Sequence, residues 1–336
     1  MKACVLGKEH FLTDKGKSGG SAYGYFVGVD VITRALQKVN VEVTPDANFY
    51  IHCVPPHLFQ PVEGKVNILY TMWEFDTLPG EMVVALNQAD YVLAASDWLK
   101  KVYKNSGVFK TVYTCRQGCD TEFYAYRLRE WRECQEKGKP LRFLWLGAPD
   151  KRKGYDLALK GFHNAFFGTK RKAELYIKSS IWGGQGGVLE MSRYNAIIDS
   201  RNVSFEELRE IYYSAYAFPF PSRGEGLGMP PLEAMATGLP VIASPYSTMR
   251  DYMLKEHSYP VPFHKVKVMV GVLTECAEVD MDSFVDVLRY VYDHPKEAMR
   301  KGLKASIFVG ENFSLQGTGE RLLWVFDKIM KKETLK

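Results

Sequence analysis

The chain has 336 residues, room for two α/β domains, and its 46% hydrophobic and 25% charged content excludes a disordered or fibrous class. Net charge is +5, with +1 in residues 1–140 and +4 in the rest, which argues against a dedicated DNA-binding domain while permitting a local basic patch. The longest nearly apolar stretch, 268–277, is too short to cross a bilayer, and the N-terminus reaches Lys8, Glu9 and His10 too soon for a signal peptide, so a cytoplasmic protein is expected.

Residues 3–6 read as a strand, and 21–39 as a helix with Tyr25, Val29, Ile32 and Leu36 on one face. Strands follow at 49–54, ended by Pro55-Pro56, and at 66–70. Pro79 opens a helix as a first-turn proline. A strand at 91–94 leads to Ser96, the cap of the next helix, and 111–114 closes the set. The polar segment 127–139 has the composition of a linker. The pattern then restarts: strand 142–146, turn at Gly147, helix 155–166, strand 174–178, helix 206–214, short strand 217–220, helix 231–237 ended by Gly238, and strand 240–243. Two or three helices finish the chain. Strand–helix alternation implies parallel sheets, and two successive doubly wound units imply a central cleft. The glycine-rich segment 182–187 reads as a mobile loop.

The six cysteines are scattered. Only Cys115 and Cys119 are close, and no second pair matches them, so reduced, buried thiols are expected rather than zinc. Gly16-Lys17-Ser18 ends like a phosphate-binding loop, but the earlier glycine would fall at Phe11, which excludes an ATPase of that type. Asp280-Met281-Asp282 precedes an amphipathic helix over 284–292 and reads as its cap, not as a metal motif. His52, inside an apolar strand, reads as a satisfied core histidine. The helix near 97–105 sets Lys100, Lys101 and Lys104 beside Trp98, Leu99 and Tyr103; it reads as a solvated face or as a surface for anionic lipid.

The chemistry concentrates in 222–236, Ser-Arg-Gly-Glu-Gly-Leu-Gly-Met-Pro-Pro-Leu-Glu-Ala-Met-Ala, after a strand and opening a helix. Glycines 224, 226 and 228 allow a sharp turn and close ligand approach, and a helix N-terminus offers free N–H groups to an anion such as diphosphate. Glu225 on the loop and Glu233 about one turn into the helix can face one pocket, and a carboxylate can accept two sugar hydroxyls.

This stretch resembles the glutamate–seven residues–glutamate signature of family 4 retaining glycosyltransferases, which have the GT-B fold. The resemblance extends over most of 18–315 through Gly238-Leu239-Pro240-Val241-Ile242-Ala243-Ser244, Asn202-Val203-Ser204 with the helix after it, Lys153-Gly154-Tyr155-Asp156, Gly118-Cys119-Asp120, and the helix from Ser96 to Gly107. It implies that Glu233 binds the donor ribose and that Glu225 with the amides of Gly226, Leu227, Gly228 and Met229 holds sugar and diphosphate. Lys153 with Arg152 would neutralise the leaving diphosphate, favouring the transition state over the ground state. Gly19 and Gly20, in the family's first loop, and Lys178 join the donor side. The family often has arginine directly after the strand glycine; here Ala148 follows Gly147, so either Arg152 takes that role or the phosphate site is weaker.

Trp73-Glu74 follows a predicted strand end, where open α/β sheets bind ligands. Glu74 then contacts an acceptor hydroxyl, with Trp73 and His10 near it. The same pair reads equally well as a surface glutamate beside a packed tryptophan. The expected architecture is therefore GT-B: an acceptor-side domain over 1–135, a nucleotide-sugar domain over 136–314, and helix 315–336 packing back on the first. The expected reaction is retaining, hexosyltransferase-type transfer from a nucleotide diphosphate sugar to an acceptor hydroxyl, with no cofactor, no essential metal and no covalent enzyme intermediate. The acceptor would be a carbohydrate, a lipid-linked or another hydroxyl compound, with peripheral membrane contact compatible with it. Two rivals stay open: a modified DNA base as acceptor, and a catalytically degenerate sugar-nucleotide scaffold. A nucleotide-sugar epimerase is disfavoured, because its catalytic carboxylates and histidines have no counterpart to place.

Overall fold

Apolar runs too short for helices become strands, and the amphipathic stretches between them cover the sheets. A computed structural model describes residues 1–7, 22–129, 131, 136–179, 188–191 and 194–334. The chain divides into two compact units: Met1–Asp120 with Lys267–Glu275 and Glu311–Lys336, and Thr121–Val266 with Cys276–Gly310. Among the described residues no helix is long and apolar enough to cross a membrane.

The first unit holds one six-stranded sheet, β1 (Lys2–Leu6), β2 (Glu42–Val43), β3 (Phe49–Cys53), β4 (Val66–Tyr70), β5 (Tyr91–Ala94) and β6 (Thr111–Thr114), in the order β2-β1-β3-β4-β5-β6. Every pair is parallel. β3 and β5 are buried along their whole length, which is why they read as continuous apolar runs rather than as alternations. His52 lies in that core with its Nε2 2.9 Å from the Asn67 Oδ1. The thiols of Cys53 and Cys115 are buried and pushed up to about 12 by desolvation, so they are inert core groups.

The helix Ala22–Lys38 packs on the helix Leu315–Thr334 at Gly319, where any side chain would collide with the Ala35 carbonyl. Phe326 of the latter helix stacks on Phe49 of β3 with ring centroids 4.6 Å apart. Ser96 caps the helix Asp97–Asn105 by accepting from the Leu99 amide at 3.0 Å. Leu99 and Tyr103 turn inward and are fully buried, so the lysines of this helix stand without most of the apolar partners that the lipid-facing reading gave them. Pro79 is the N-cap of the helix Gly80–Gln88, one residue outside the first turn.

In the second unit β7 (Leu141–Leu146), β8 (Ala173–Lys178), β9 (Val188–Met191) and β10 (Ala196–Asp199) form a sheet in the order β7-β8-β10-β9, with β9 an antiparallel edge. β11 (Phe218–Phe220), β12 (Val241–Ala243) and β13 (Tyr259–Pro260) pair in parallel beside it, and a bridge between Phe143 and Ala217 links the two sets. β14 (Phe263–Met269) and β15 (Leu273–Val279) form a separate two-stranded ribbon. β10 ends before the Asn202-Val203-Ser204 segment, and Ser204 caps the helix Phe205–Ser214 in a reciprocal box with Glu207. The segment read from 127 as a linker is anchored at its start. Arg129 is buried and donates to the carbonyls of Ala215 and Thr237 at 3.1 and 2.7 Å, and Arg127 pairs with Glu210 at 2.8 Å. Asp280 caps the helix Met281–Asp293 by accepting from the Ser283 amide.

Phe326 is fully buried and stacked, so Phe326→Ala should destabilise the first unit by about 3–5 kcal/mol. Urea unfolding followed by far-UV circular dichroism measures this; a loss below about 1 kcal/mol would mean that the helix Leu315–Thr334 does not close this core.

Candidate functional site

β11 is followed by Pro221 and by the buried Ser222, and the chain then enters the glycine-rich loop and the helix Met229–Ala236. The helix begins two residues earlier than its prolines suggested, because Gly228 adopts φ 80° and ψ 57° and turns the chain into it. A side chain at Gly228 would strike the Tyr252 hydroxyl, which donates to the Leu227 carbonyl at 2.9 Å. Thr248 donates to the Gly226 carbonyl at 2.9 Å, and the Glu225 amide donates to the Ser247 hydroxyl at 2.8 Å. The turn after β12 therefore tethers the loop from below, carbonyl by carbonyl.

The basic turn arrives from the other side. Lys151–Lys153 forms one 3-10 turn, capped by the Asp150 carboxylate accepting from the Arg152 amide at 2.8 Å. Gly154, at φ 72°, touches the Pro221 carbonyl so closely that no side chain fits, which sets this turn directly on the loop. The Arg223 amide donates to the Arg152 carbonyl at 2.7 Å. The Arg223 guanidinium grips Asp156 at 2.9 Å and Glu278 at 2.6 Å and also reaches the Lys151 carbonyl.

Glu225 is the centre of the arrangement. It is 2% exposed, and its carboxylate accepts from Lys153 Nζ at 2.7 Å, from Ser222 Oγ at 2.8 Å and from Arg152 Nη1 at 3.5 Å. Arg152 Nη1 also donates to the Gly224 carbonyl at 2.7 Å. Burial alone would raise the Glu225 pKa, but the charges of Lys153 and Arg152 outweigh it and hold the carboxyl below its ordinary range. Glu225 thus faces two cations of the basic turn, four residues before the helix Met229–Ala236 begins.

Glu233 is buried in a different setting. Tyr212 donates to its Oε2 at 2.8 Å and Tyr124 supplies a second hydrogen bond, yet desolvation dominates and raises its pKa to about 7. Near neutral pH this carboxyl is poised between donor and acceptor roles, a form suited to hydroxyl partners.

The structure thus gathers Lys153, Arg152, Glu225 and Gly226–Met229, with Glu233 one turn along the same helix. Lys178, at the end of β8, is turned to another group: its Nζ lies 3.7 Å from Asp199 Oδ1 and donates to the Asp199 and Arg201 carbonyls. The Arg201 guanidinium binds Asp199 through both oxygens at 2.7 and 2.9 Å, holding that carboxyl well below its usual range. In the first unit Trp73 and Glu74 follow β4, with the indole donating to the Thr77 carbonyl at 2.8 Å. His10, Gly19 and Gly20 lie outside the described residues. Sequence reasoning missed Ser247, Thr248 and Tyr252 as loop tethers and Arg223 as the clamp of the basic turn. A Ser-Thr pair just past a strand end in a parallel sheet was the available signal.

Residues 130–278 match the family model described as Glycosyl transferases group 1. Over 75 residues, 22% of the chain, the sequence is 36% identical to the O-antigen chain mannosyltransferase RfbU of Salmonella typhimurium. Over 149 residues, 43% of the chain, it is 28% identical to the MMP alpha-(1->4)-mannosyltransferase of Mycolicibacterium hassiacum. The matched segments span only 21% and 32% of those relatives. The Anabaena HepE structure in complex with UDP and glucose aligns over 98% of this chain and 100% of its own, with TM-score 0.69 and 9% identity, and this likeness places the fold as GT-B.

Glu233 yields a sign-defined prediction. Its folded-state pKa of about 7 exceeds its ordinary 4.5, so the folded chain keeps a proton that the unfolded chain releases between those values. The resulting stability is fully present below pH 4.5 and is lost as pH rises through 7, a change of about 3 kcal/mol. Urea unfolding across this range should show the stability of wild type minus that of Glu233→Gln falling by that amount toward high pH, because the amide stands in for the protonated carboxyl and does not titrate. A difference independent of pH contradicts the assignment.

Proposed function

We propose that the chain, a GT-B protein carrying a glycosyl transferases group 1 domain, transfers a sugar from a nucleoside diphosphate sugar to an acceptor hydroxyl. The observation that carries this reading is the buried Glu225 carboxylate holding Lys153 and Arg152 against the glycine-rich loop. We propose a hexose as the transferred sugar, since two curated relatives are mannosyltransferases.

In this reading the diphosphate lies on the amides that open the helix Met229–Ala236, and Glu233 takes the ribose hydroxyls. The bond from the anomeric carbon to the phosphate oxygen breaks, and its electron pair goes to the departing diphosphate. The acceptor oxygen bonds to the anomeric carbon on the same face, with retention, and its proton passes to the leaving phosphate oxygen. Charge grows on that phosphate as the bond breaks. Lys153 and Arg152, already fixed by Glu225, meet it without reorganisation and take the role that a bound metal would otherwise have. In this reading Arg152 fills the place left by Ala148: its guanidinium comes from five residues beyond the strand glycine and reaches the Gly224 carbonyl of the loop. Trp73 and Glu74 are the residues proposed for the acceptor.

Lys153→Ala should lower kcat about 10²–10³-fold, because one preorganised cation is lost while Arg152 still balances Glu225. Donor turnover is followed by release of nucleoside diphosphate, with the melting temperature recorded in parallel and EDTA present in one arm. Unchanged turnover in a folded variant, or no nucleotide sugar turned over or bound by the wild type, would sink the reading. Loss of activity in EDTA would remove the claim that the two cations suffice.

A further inference from the structure

The first unit carries a basic cavity with no part in the site above. It opens at the N-terminal ends of β4, β5 and β6, the edge of the sheet opposite Trp73 and Glu74, and has a volume of about 480 Å³. Lys65 comes from the turn before β4, Lys110 from the turn before β6, and Lys332 from the last turn of the helix Leu315–Thr334. Lysines from three separate elements thus line one space, with the Lys65 Nζ 5.8 Å from the centre of the Tyr50 ring and the Lys332 Nζ 6.0 Å from that of Tyr91. Lys332 Nζ is held by the Thr111 hydroxyl at 3.1 Å. The only acid in the lining, Asp90, has one carboxylate oxygen occupied by the Asn67 amide at 2.8 Å. The lining therefore keeps an excess of two positive charges. Phe109 stands at the rim, 75% exposed, while its amide is fixed by the Asn87 side chain at 3.0 Å.

Like charges brought together repel, and an arrangement that keeps three of them around one cavity gains most from a compact polyanion. The volume admits a phosphate-bearing group, and the exposed ring of Phe109 gives its organic part an apolar surface to cover. We propose that this cavity is a second anion site of the chain, one that takes a phosphate-bearing ligand. Two sources supply that chemistry: a soluble phosphorylated compound, or the headgroup of an anionic phospholipid, for which an exposed aromatic beside lysines is a fitting rim.

The test uses the full chain and the variant Lys65→Gln/Lys110→Gln/Lys332→Gln, whose side chains are outside the core and should leave melting unchanged. Calorimetric titration with inorganic pyrophosphate is run on both, and on Lys153→Ala to mark any binding at the donor site. Flotation with phosphatidylcholine vesicles, with and without phosphatidylglycerol, forms the second arm. Affinity for pyrophosphate about tenfold or more weaker in the triple variant, and persisting in Lys153→Ala, supports the site with a soluble ligand. Flotation that needs phosphatidylglycerol and is lost in the triple variant supports it with a headgroup. Equal behaviour of wild type and triple variant in both arms overturns the proposal. Pyrophosphate binding lost only in Lys153→Ala also overturns it and leaves the donor-site reading standing.

Discussion

A carboxylate almost wholly out of water is the constraint on which the second unit turns. Isolated, the Glu225 charge would cost several kcal/mol to bury, so the loop can be placed as it is only if cations come with it. Lys153 and Arg152 answer that demand, and two further devices bring them there: Gly154 with the left-handed backbone, and Arg223 clamping Asp156 and Glu278. The same requirement explains why the glycine-rich loop is tethered through its carbonyls by Thr248 and Tyr252. Stability and chemistry are coupled here. The interactions that keep Glu225 ionised are those that fix two positive charges where a leaving group would need them.

Among its described residues the unit holds three buried carboxylates in contrasting states. Glu225 is held ionised by two cations and Asp199 by Arg201, whereas Glu233, with tyrosine hydroxyls as its partners, is pushed up to about 7. Carboxylates close in sequence thus stand in opposite electrostatic environments, Glu225 among cations and Glu233 among tyrosine hydroxyls. Asp199 anchors the end of β10 and engages Lys178, which makes that lysine a member of a separate network.

Much of this was legible in the chain because it depends on local rules. β5 is an unbroken apolar run and β3 and β4 are interrupted only by His52 and Asn67, Ser96 is a side-chain cap in the expected place, and the spacing of Glu225 and Glu233 around the glycines marked the loop and its helix. What escaped depends on contacts between distant segments. β10 is only four residues, Ala-Ile-Ile-Asp, and reads as a strand only once β8 lies beside it. Arg223 follows a serine in a polar stretch, and nothing nearby in sequence announces that Asp156 and Glu278, from 67 and 55 residues away, will flank it. Ser247 and Thr248 look like ordinary turn residues until the loop they support is folded above them. Arg129 reads as one charge among many in a polar run, although it is buried against carbonyls of the second unit.

The most direct measurement of the central claim is a crystal structure of the full chain with a nucleoside diphosphate bound. The account predicts the diphosphate against the amides that open the helix Met229–Ala236 and within hydrogen-bonding distance of Lys153, the Glu225 cluster still intact, and ribose hydroxyls on Glu233. A nucleotide bound with its phosphates away from Lys153 and Arg152, or a Glu225 carboxylate that has left both cations to reach it, would contradict the account.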